Sequence, residues 1–231
     1  MQPRNLLTRL ILQTGFWLAV MGAMLFLGAG TFAWPQGWAF LVLFAALSAA
    51  FGAVGLRRYR GLLEARLGGL NQPGQPLWDK FFTGFFLIVW LVWLGWLALM
   101  GADAVRWHLS QMAPALNVLG AVVTVLGFMV TSRVLMENSF AAPVARVQGG
   151  QHVIDTGPYA LVCHPMYATA LLFLAGMPLL LGSWLGFIGV VLIFLGMASR
   201  SVAEENLLRR ELPGYADYMQ KVRYRLIPYV W

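Results

Sequence analysis

Charge is what this sequence has least of. Only 11% of its residues are Asp, Glu, Lys or Arg, against 60% that are apolar, where soluble domains carry about 25% and 45 to 50% respectively. A chain this poor in charge cannot clothe a water-facing surface of ordinary size, which excludes a soluble enzyme and marks a membrane protein. A single cysteine excludes an internal disulfide framework. Three scattered histidines beside it leave no ligand set for a metal centre, so none is expected. Acidic residues are scarcer than basic ones, 9 against 16. Such an excess signals nucleic acid, anionic lipid or membrane topology, and its placement along the chain decides among them.

What is present is a series of long apolar runs. Arg4 and Arg9 precede a run from Leu10 to about Phe32, long enough as a helix to cross a bilayer core of about 30 Å. A cleaved signal peptide has an apolar core of about 7 to 15 residues, so the run is read as a retained span. Trp34-Pro35-Gln36-Gly37-Trp38 forms a turn with interfacial tryptophans, and a second run continues to Leu56. Residues from Arg57 to Lys80 are polar and rich in Gly and Pro, a loop with a short surface helix at its start. Phe81 to Met100 makes a third span, and a short connection holding Asp103, Arg106 and His108 leads to a fourth from about Ala115 to Met136.

From Glu137 to Tyr167 the chain is too polar for lipid and too apolar for a free linker, the natural place for a site. No Asp, Glu, Lys or Arg lies between Asp155 and Arg200. The apolar stretch from Tyr167 to Ser199 is too long for one span and short for two, and Pro178 and Gly182-Ser183 interrupt its middle. It is read as a tight hairpin of two shorter helices, with Gly182 and Gly186 spaced for close packing. With the N-terminus in the cytoplasm, this reading puts every basic residue except Arg106 on the cytoplasmic side. A single span would export the six basic residues of the tail. The basic excess is thus explained by topology and anionic headgroups, and no nucleic-acid partner is expected. The expected fold is an all-α integral membrane protein of four transmembrane helices (residues 1–136, with a cytoplasmic loop at 57–80), integrated with residues 137–231: a connector, the hairpin at 167–199 and a cytoplasmic tail helix. Both termini are expected in the cytoplasm, at the inner membrane if the cell is bacterial. No repeat or low-complexity tract interrupts this order.

The stretch Gly157-Pro158-Tyr159-Ala160-Leu161-Val162-Cys163-His164-Pro165-Met166-Tyr167, followed at a distance by Arg200, Glu204 and Glu205, resembles the isoprenylcysteine carboxyl methyltransferase family and its bacterial relatives. Their hallmark is Gly-Pro-Tyr, three residues, Arg-His-Pro, one residue and Tyr, then a distal Arg and a Glu-Glu pair. The likeness runs from about Asn138 to Trp231 and takes in Val222-Arg223-Tyr224-Arg225-Leu226-Ile227-Pro228; the first 130 residues match only in being spans. The resemblance implies an S-adenosylmethionine pocket outside any Rossmann domain, with Gln148, Gln151, His152, Val153, Ile154, Tyr159, His164, Pro165, Met166, Tyr167 and Glu204 as cofactor-binding positions. It implies a substrate-side role for Arg200 and places Arg200, Glu204 and Glu205 in the catalytic region. Cys163 stands where the family usually has arginine.

The residue types agree with that implication. A sulfonium, an amino acid head and an adenine call for aromatic faces, amide partners and a carboxylate, which Tyr159, Tyr167, Gln148, Gln151 and Glu204 supply. Arg200 and Glu204 are four apart, hence on one face of a helix leaving the hairpin. An arginine there suits a planar carboxylate gripped by two parallel hydrogen bonds, so a lipophilic carboxylate acceptor is favoured. A phospholipid amine acceptor would need a general base, with Glu205 or His164 as candidates.

Plainer readings stand beside these. Arg200 with Glu204 is also a common interfacial ion pair, His164 a helix-start histidine, and Cys163 a small packing residue. The tail beyond Glu205 reads by default as an amphipathic segment on the membrane surface. A sterol-type membrane reductase using NADPH shares a His-Pro-x-Tyr motif but continues with Gly-Glu, whereas Tyr167 is followed by Ala168-Thr169. A non-enzymatic membrane scaffold would bind neither cofactor. Partners are expected to be a lipophilic or lipidated substrate and membrane lipids; oligomeric state is not written in the sequence.

Overall fold

The structure, a computed structural model, describes residues 3–67, 77, 91–138, 140, 147 and 149–231. The first half of the expected third span (81–90), most of the loop at 57–80 and Gln148 lie outside the described residues. Helix α1 is Pro3–Ala29, α2 Pro35–Arg58 and α3 Arg60–Arg66. Helix α4 is described over residues 91–101 and widens into a π-helical turn at Ala102–Arg106. Helices α5 (Pro114–Glu137), α6 (Pro165–Leu181), α7 (Gly186–Glu211) and α8 (Tyr215–Lys221) follow. The protein is an all-helical integral membrane protein. Helices α1, α2, α5 and α7 are each long and apolar enough to cross a bilayer, and α6 is a shorter apolar helix.

Proline sets several of the starts. Helices α2, α5 and α6 each open on one, where the missing N–H is not needed and φ is already helical. The α1–α2 turn is fixed by its tryptophans: Trp34 is buried against Phe26, and the Trp38 indole donates to the Phe32 carbonyl at 2.9 Å. At the end of α1, Arg106 donates to the Leu27 carbonyl at 2.7 Å, placing a cation on the negative end of the helix dipole. Gly30 takes φ +72° beside that guanidinium, where a side chain would collide with it.

Tight contacts between helices come from glycines facing backbone. A Cβ at Gly28 would fall on the Ala98 carbonyl, and one at Gly101 on the Leu25 carbonyl, so α1 and α4 touch main chain to main chain. Helices α5 and α6 do the same, with Gly120 against Leu180, Gly127 against Phe173 and Gly176 against Thr124. Without a hydrophobic driving force between helices in lipid, such close approach is what holds spans together. The hydroxyls of Thr124, Thr131 and Ser132 bond back to carbonyls four residues earlier in α5, so none is left unsatisfied in hydrocarbon. Met21, Leu25, Phe40, Leu97, Met100, Met177 and Leu181 form the centre of the bundle.

The apolar stretch after Tyr167 is a hairpin, with details that differ from the sequence reading. Helix α6 runs through Pro178, and the reversal is made by residues 182–185, where Gly182 takes φ +81° as the C-cap. Gly182 therefore forms the turn, while Gly186 packs closely on Met100 and Pro178 as its spacing suggests, and a further close-packing seam lies at Gly120, Gly127 and Gly176. Helix α7 continues unbroken past Ser199 to Glu211, carrying its charged end out of the apolar layer.

Asp103, expected in an open connection, is fully buried. Its Oδ2 accepts from the hydroxyls of Ser110 (2.6 Å) and Ser183 and from the Leu185 N–H (3.3 Å). The Ser110 hydroxyl in turn accepts from the Trp184 N–H at 2.8 Å. This polar knot ties the α4–α5 connection to the α6–α7 turn, at the end of the hairpin away from Tyr167.

Candidate active site

At the other end of the hairpin, the connector and the tail fold onto one another. The connector leaves α5 tethered, because Thr156 donates to Glu137 at 2.7 Å and Glu137 pairs with Arg133 at 2.8 Å. Gly157 takes φ +55° against the Glu137 side chain, and Pro158 opens a single 3-10 turn, Gly157–Ala160. The chain then runs extended into α6 and is paired with the tail: the Cys163 N–H donates to the Tyr224 carbonyl at 2.8 Å and the His164 N–H to the Arg225 carbonyl at 2.9 Å. The Cys163 thiol donates to the Val222 carbonyl at 3.1 Å. Tyr215 and Tyr218 of α8 are buried, so the tail is packed into the fold rather than spread on a membrane surface as its amphipathic pattern suggests.

Between these pieces lies an open cleft of about 770 Å³ with its mouth included. Ten of the expected cofactor positions line it: Gln151, His152, Val153, Ile154, Tyr159, His164, Pro165, Met166, Tyr167 and Glu204. Asn138, Phe140, Cys163, Leu208, Leu212, Tyr215 and Tyr218 complete the wall and were not singled out from sequence as ligand positions. Glu204, Leu208 and Leu212 recur at helical spacing, so one stripe of α7 forms one side.

Tyr167 joins the charged residues. Its hydroxyl donates to Glu204 Oε2 at 2.7 Å and accepts from Arg200 Nε at 3.1 Å. Arg200 is buried behind Tyr167 and does not line the cleft. The His164 and Tyr167 rings lie parallel with centroids 5.4 Å apart, and His164 Nδ1 is 3.8 Å from Glu204 Oε2. His164 Nε2 faces Glu205 Oε1 at 3.4 Å, too long for a good hydrogen bond. Glu205 is 2% exposed and is held by Arg225, whose Nε lies 2.9 and 3.0 Å from its two oxygens. Glu205 therefore stands outside the cleft wall, and the Arg225 guanidinium is covered by the Trp231 ring at 5.2 Å.

The remaining wall is neutral and aromatic. Asn138 Nδ2 donates to the Tyr159 hydroxyl at 3.1 Å, and burial pushes the Tyr159 phenol up to about 12. The Tyr218 hydroxyl donates to the Tyr159 carbonyl at 2.7 Å, and Phe140 meets His152 edge-on at 5.3 Å. Burial, with Glu205 nearby, raises the Cys163 thiol to about 11, so the residue is protonated and serves as packing. No cluster of three or more metal-ligating side chains occurs among the described residues.

Comparison with known proteins bears on this same region. No curated protein matches the chain. A model of the phospholipid methyltransferase family matches residues 115–213. That interval is less than half of the chain, but it contains α5, the connector and the α6–α7 hairpin. Over the segment that supplies every cleft residue except Tyr215 and Tyr218, the chain is similar to phospholipid methyltransferases.

Proposed function

We propose that the protein is an integral membrane methyltransferase that moves a methyl group from S-adenosylmethionine to a lipophilic acceptor. The observation that carries this reading is the convergence of Gln151 to Ile154, Tyr159, His164 to Tyr167 and Glu204 on one cleft at the base of a membrane hairpin. The lining fits the cofactor: a carboxylate and aromatic faces suit its cationic parts, and the Gln151 amide can serve as donor or acceptor. Bound there, S-adenosylmethionine supplies a methyl group activated by its sulfonium. The chain's own contribution is alignment and dryness. Oriented reactants can gain roughly 7 to 11 kcal/mol over free encounter, and the wall of Pro165, Met166, Leu208, Leu212 and tyrosines keeps water out. No covalent nucleophile is required.

Arg200 carries the acceptor preference. Its Nε is held by the Tyr167 hydroxyl behind the cleft wall, so Arg200 acts on a lipophilic carboxylate acceptor through Tyr167 rather than by lining the cleft. A carboxylate needs no proton removed before attack. The family match favours a second reading, a phospholipid amine acceptor. In that case the base must face the cleft, which points to Glu204 or His164, because Glu205 is committed to Arg225.

The test is calorimetric titration of the detergent-purified protein with S-adenosylhomocysteine and with NADPH, followed by transfer of labelled methyl from S-adenosylmethionine to prenylcysteine, fatty acid and phosphatidylethanolamine. Binding of S-adenosylhomocysteine alone is expected, with label appearing in a base-labile ester. Label in the phospholipid headgroup would select the amine reading. Binding of NADPH alone would overturn the methyltransferase.

A further inference from the structure

Four tyrosines face the cleft at or near full burial: Tyr159, Tyr167, Tyr215 and Tyr218. The fold satisfies three of their hydroxyls. Tyr159 accepts from Asn138, Tyr167 donates to Glu204, and Tyr218 donates to the Tyr159 carbonyl. The Tyr215 hydroxyl is buried and has no hydrogen-bond partner among the described residues, although the residue is only 5% exposed. A buried hydroxyl without a partner is destabilising, and such groups are rare enough in native proteins that each needs a reason.

We propose that Tyr215 is a ligand-binding residue whose hydroxyl donates to the nucleoside end of the cofactor. This inference rests on the methyltransferase reading. The surroundings select the acceptor. Tyr215 packs with Cys163, Leu212, Tyr218 and Val222 in one apolar cluster, and Leu208 continues the same wall of the cleft. That lining takes a flat heteroaromatic ring.

Electrostatics point the same way. Burial, with Cys163 and then the Glu204 and Glu205 carboxylates nearby, raises the Tyr215 phenol and holds its proton in place. The group is thus a donor, and an anionic ligand group beside it would be repelled. A neutral ring nitrogen or ribose oxygen is left as the acceptor.

The inference gives the cleft a direction. The nucleoside lies toward α8 and the tail, and the sulfonium lies toward Tyr167 and Glu204, at the end of the cleft formed by α6 and α7. The transferable methyl then lies at that end. In this arrangement Tyr215 adds a hydrogen bond at the far end of the cofactor from the chemistry, so its contribution is read in cofactor affinity.

The experiment compares the parent with Tyr215→Phe, which keeps the ring and removes only the hydroxyl. Each is titrated with S-adenosylhomocysteine and with methylthioadenosine, which retains the nucleoside and lacks the amino acid head. Thermal stability is measured without ligand. Loss of one neutral hydrogen bond is expected to weaken both ligands about three- to tenfold. Ligand-free stability should be equal or higher, because an unsatisfied hydroxyl has been removed. Equal affinity of parent and variant for S-adenosylhomocysteine overturns the inference, as does a loss confined to S-adenosylhomocysteine, which would put the hydroxyl at the amino acid head. A less stable ligand-free variant with unchanged affinities also overturns it, by making the hydroxyl structural. A parent that binds neither compound removes the methyltransferase reading itself, and the inference falls with it.

Discussion

Replacing Arg225 by Ala should be the most costly single change available in the tail. Glu205 is 2% exposed, and both of its oxygens lie within 3.0 Å of Arg225 Nε. Removing the guanidinium leaves a buried carboxylate facing only His164, at 3.4 Å. Breaking a buried pair by deleting one partner costs about 3 to 5 kcal/mol. The Arg225 side chain is 29% exposed, so water can partly replace it, and the lower figure, about 3 kcal/mol, applies. For a protein of this size that corresponds to a fall in Tm of roughly 6 to 12 °C, readable from tryptophan fluorescence in detergent. The companion variants sharpen the test. Glu205→Gln should cost less than Arg225→Ala, and adding it to Arg225→Ala should restore part of the loss, since the double variant no longer buries an uncompensated charge. An Arg225→Ala variant within about 1 kcal/mol of the parent would mean that the pair behaves as an exposed one, and the assignment of Arg225 as the counter-ion of a buried glutamate would be wrong.

Arg200→Lys keeps the charge and loses the planar grip; methyl transfer to a carboxylate acceptor should fall roughly tenfold to a hundredfold with S-adenosylhomocysteine affinity nearly unchanged, and normal turnover would leave the amine reading as the better one. Gly120→Val sets a side chain against the Leu180 backbone and should cost more than about 3 kcal/mol, seen as loss of monodisperse protein. Gly196→Ala, which meets nothing within 4 Å, should be neutral or gain up to about 1 kcal/mol. Reporter fusions after Trp231 should report a cytoplasmic location; an external one would contradict the orientation inferred from the basic residues.

The spans and the hairpin were legible because membrane helices announce themselves by length; the helix starts at Pro35, Pro114 and Pro165 were not read from those prolines, since Pro35 also fits the turn to which it was given. Of the residues singled out in sequence, those of the Gly157 to Tyr167 motif that line the cleft are close together in the chain, whereas Arg200, paired with Glu204 by spacing, is buried behind Tyr167 and outside the lining. Asp103 was not legible. A charge between two apolar runs looks like a loop, and its burial depends on donors at Ser183 and Leu185 some 80 positions away. The seam at Gly120, Gly127 and Gly176 was hidden for the same reason, since glycine in an apolar run does not say which helix it faces. Tyr215 and Tyr218 gave a pattern that fits a membrane surface equally well; only the pairing of 222–225 with 162–164 buries them. The density of tyrosines after Pro213-Gly214 was the one available signal.

The tail that completes the cleft follows helices α1 to α7 in chain order. While the chain is being synthesised, the spans can therefore enter the bilayer and pack through their glycine seams before the wall formed by Tyr215, Tyr218 and the 222–225 strap exists. Insertion is thus separated in time from formation of the cleft, and a nascent chain already seated in the membrane does not yet have its whole wall. Clipping the tail from the mature protein should reproduce that intermediate, an inserted helical bundle whose cleft stands open on one side.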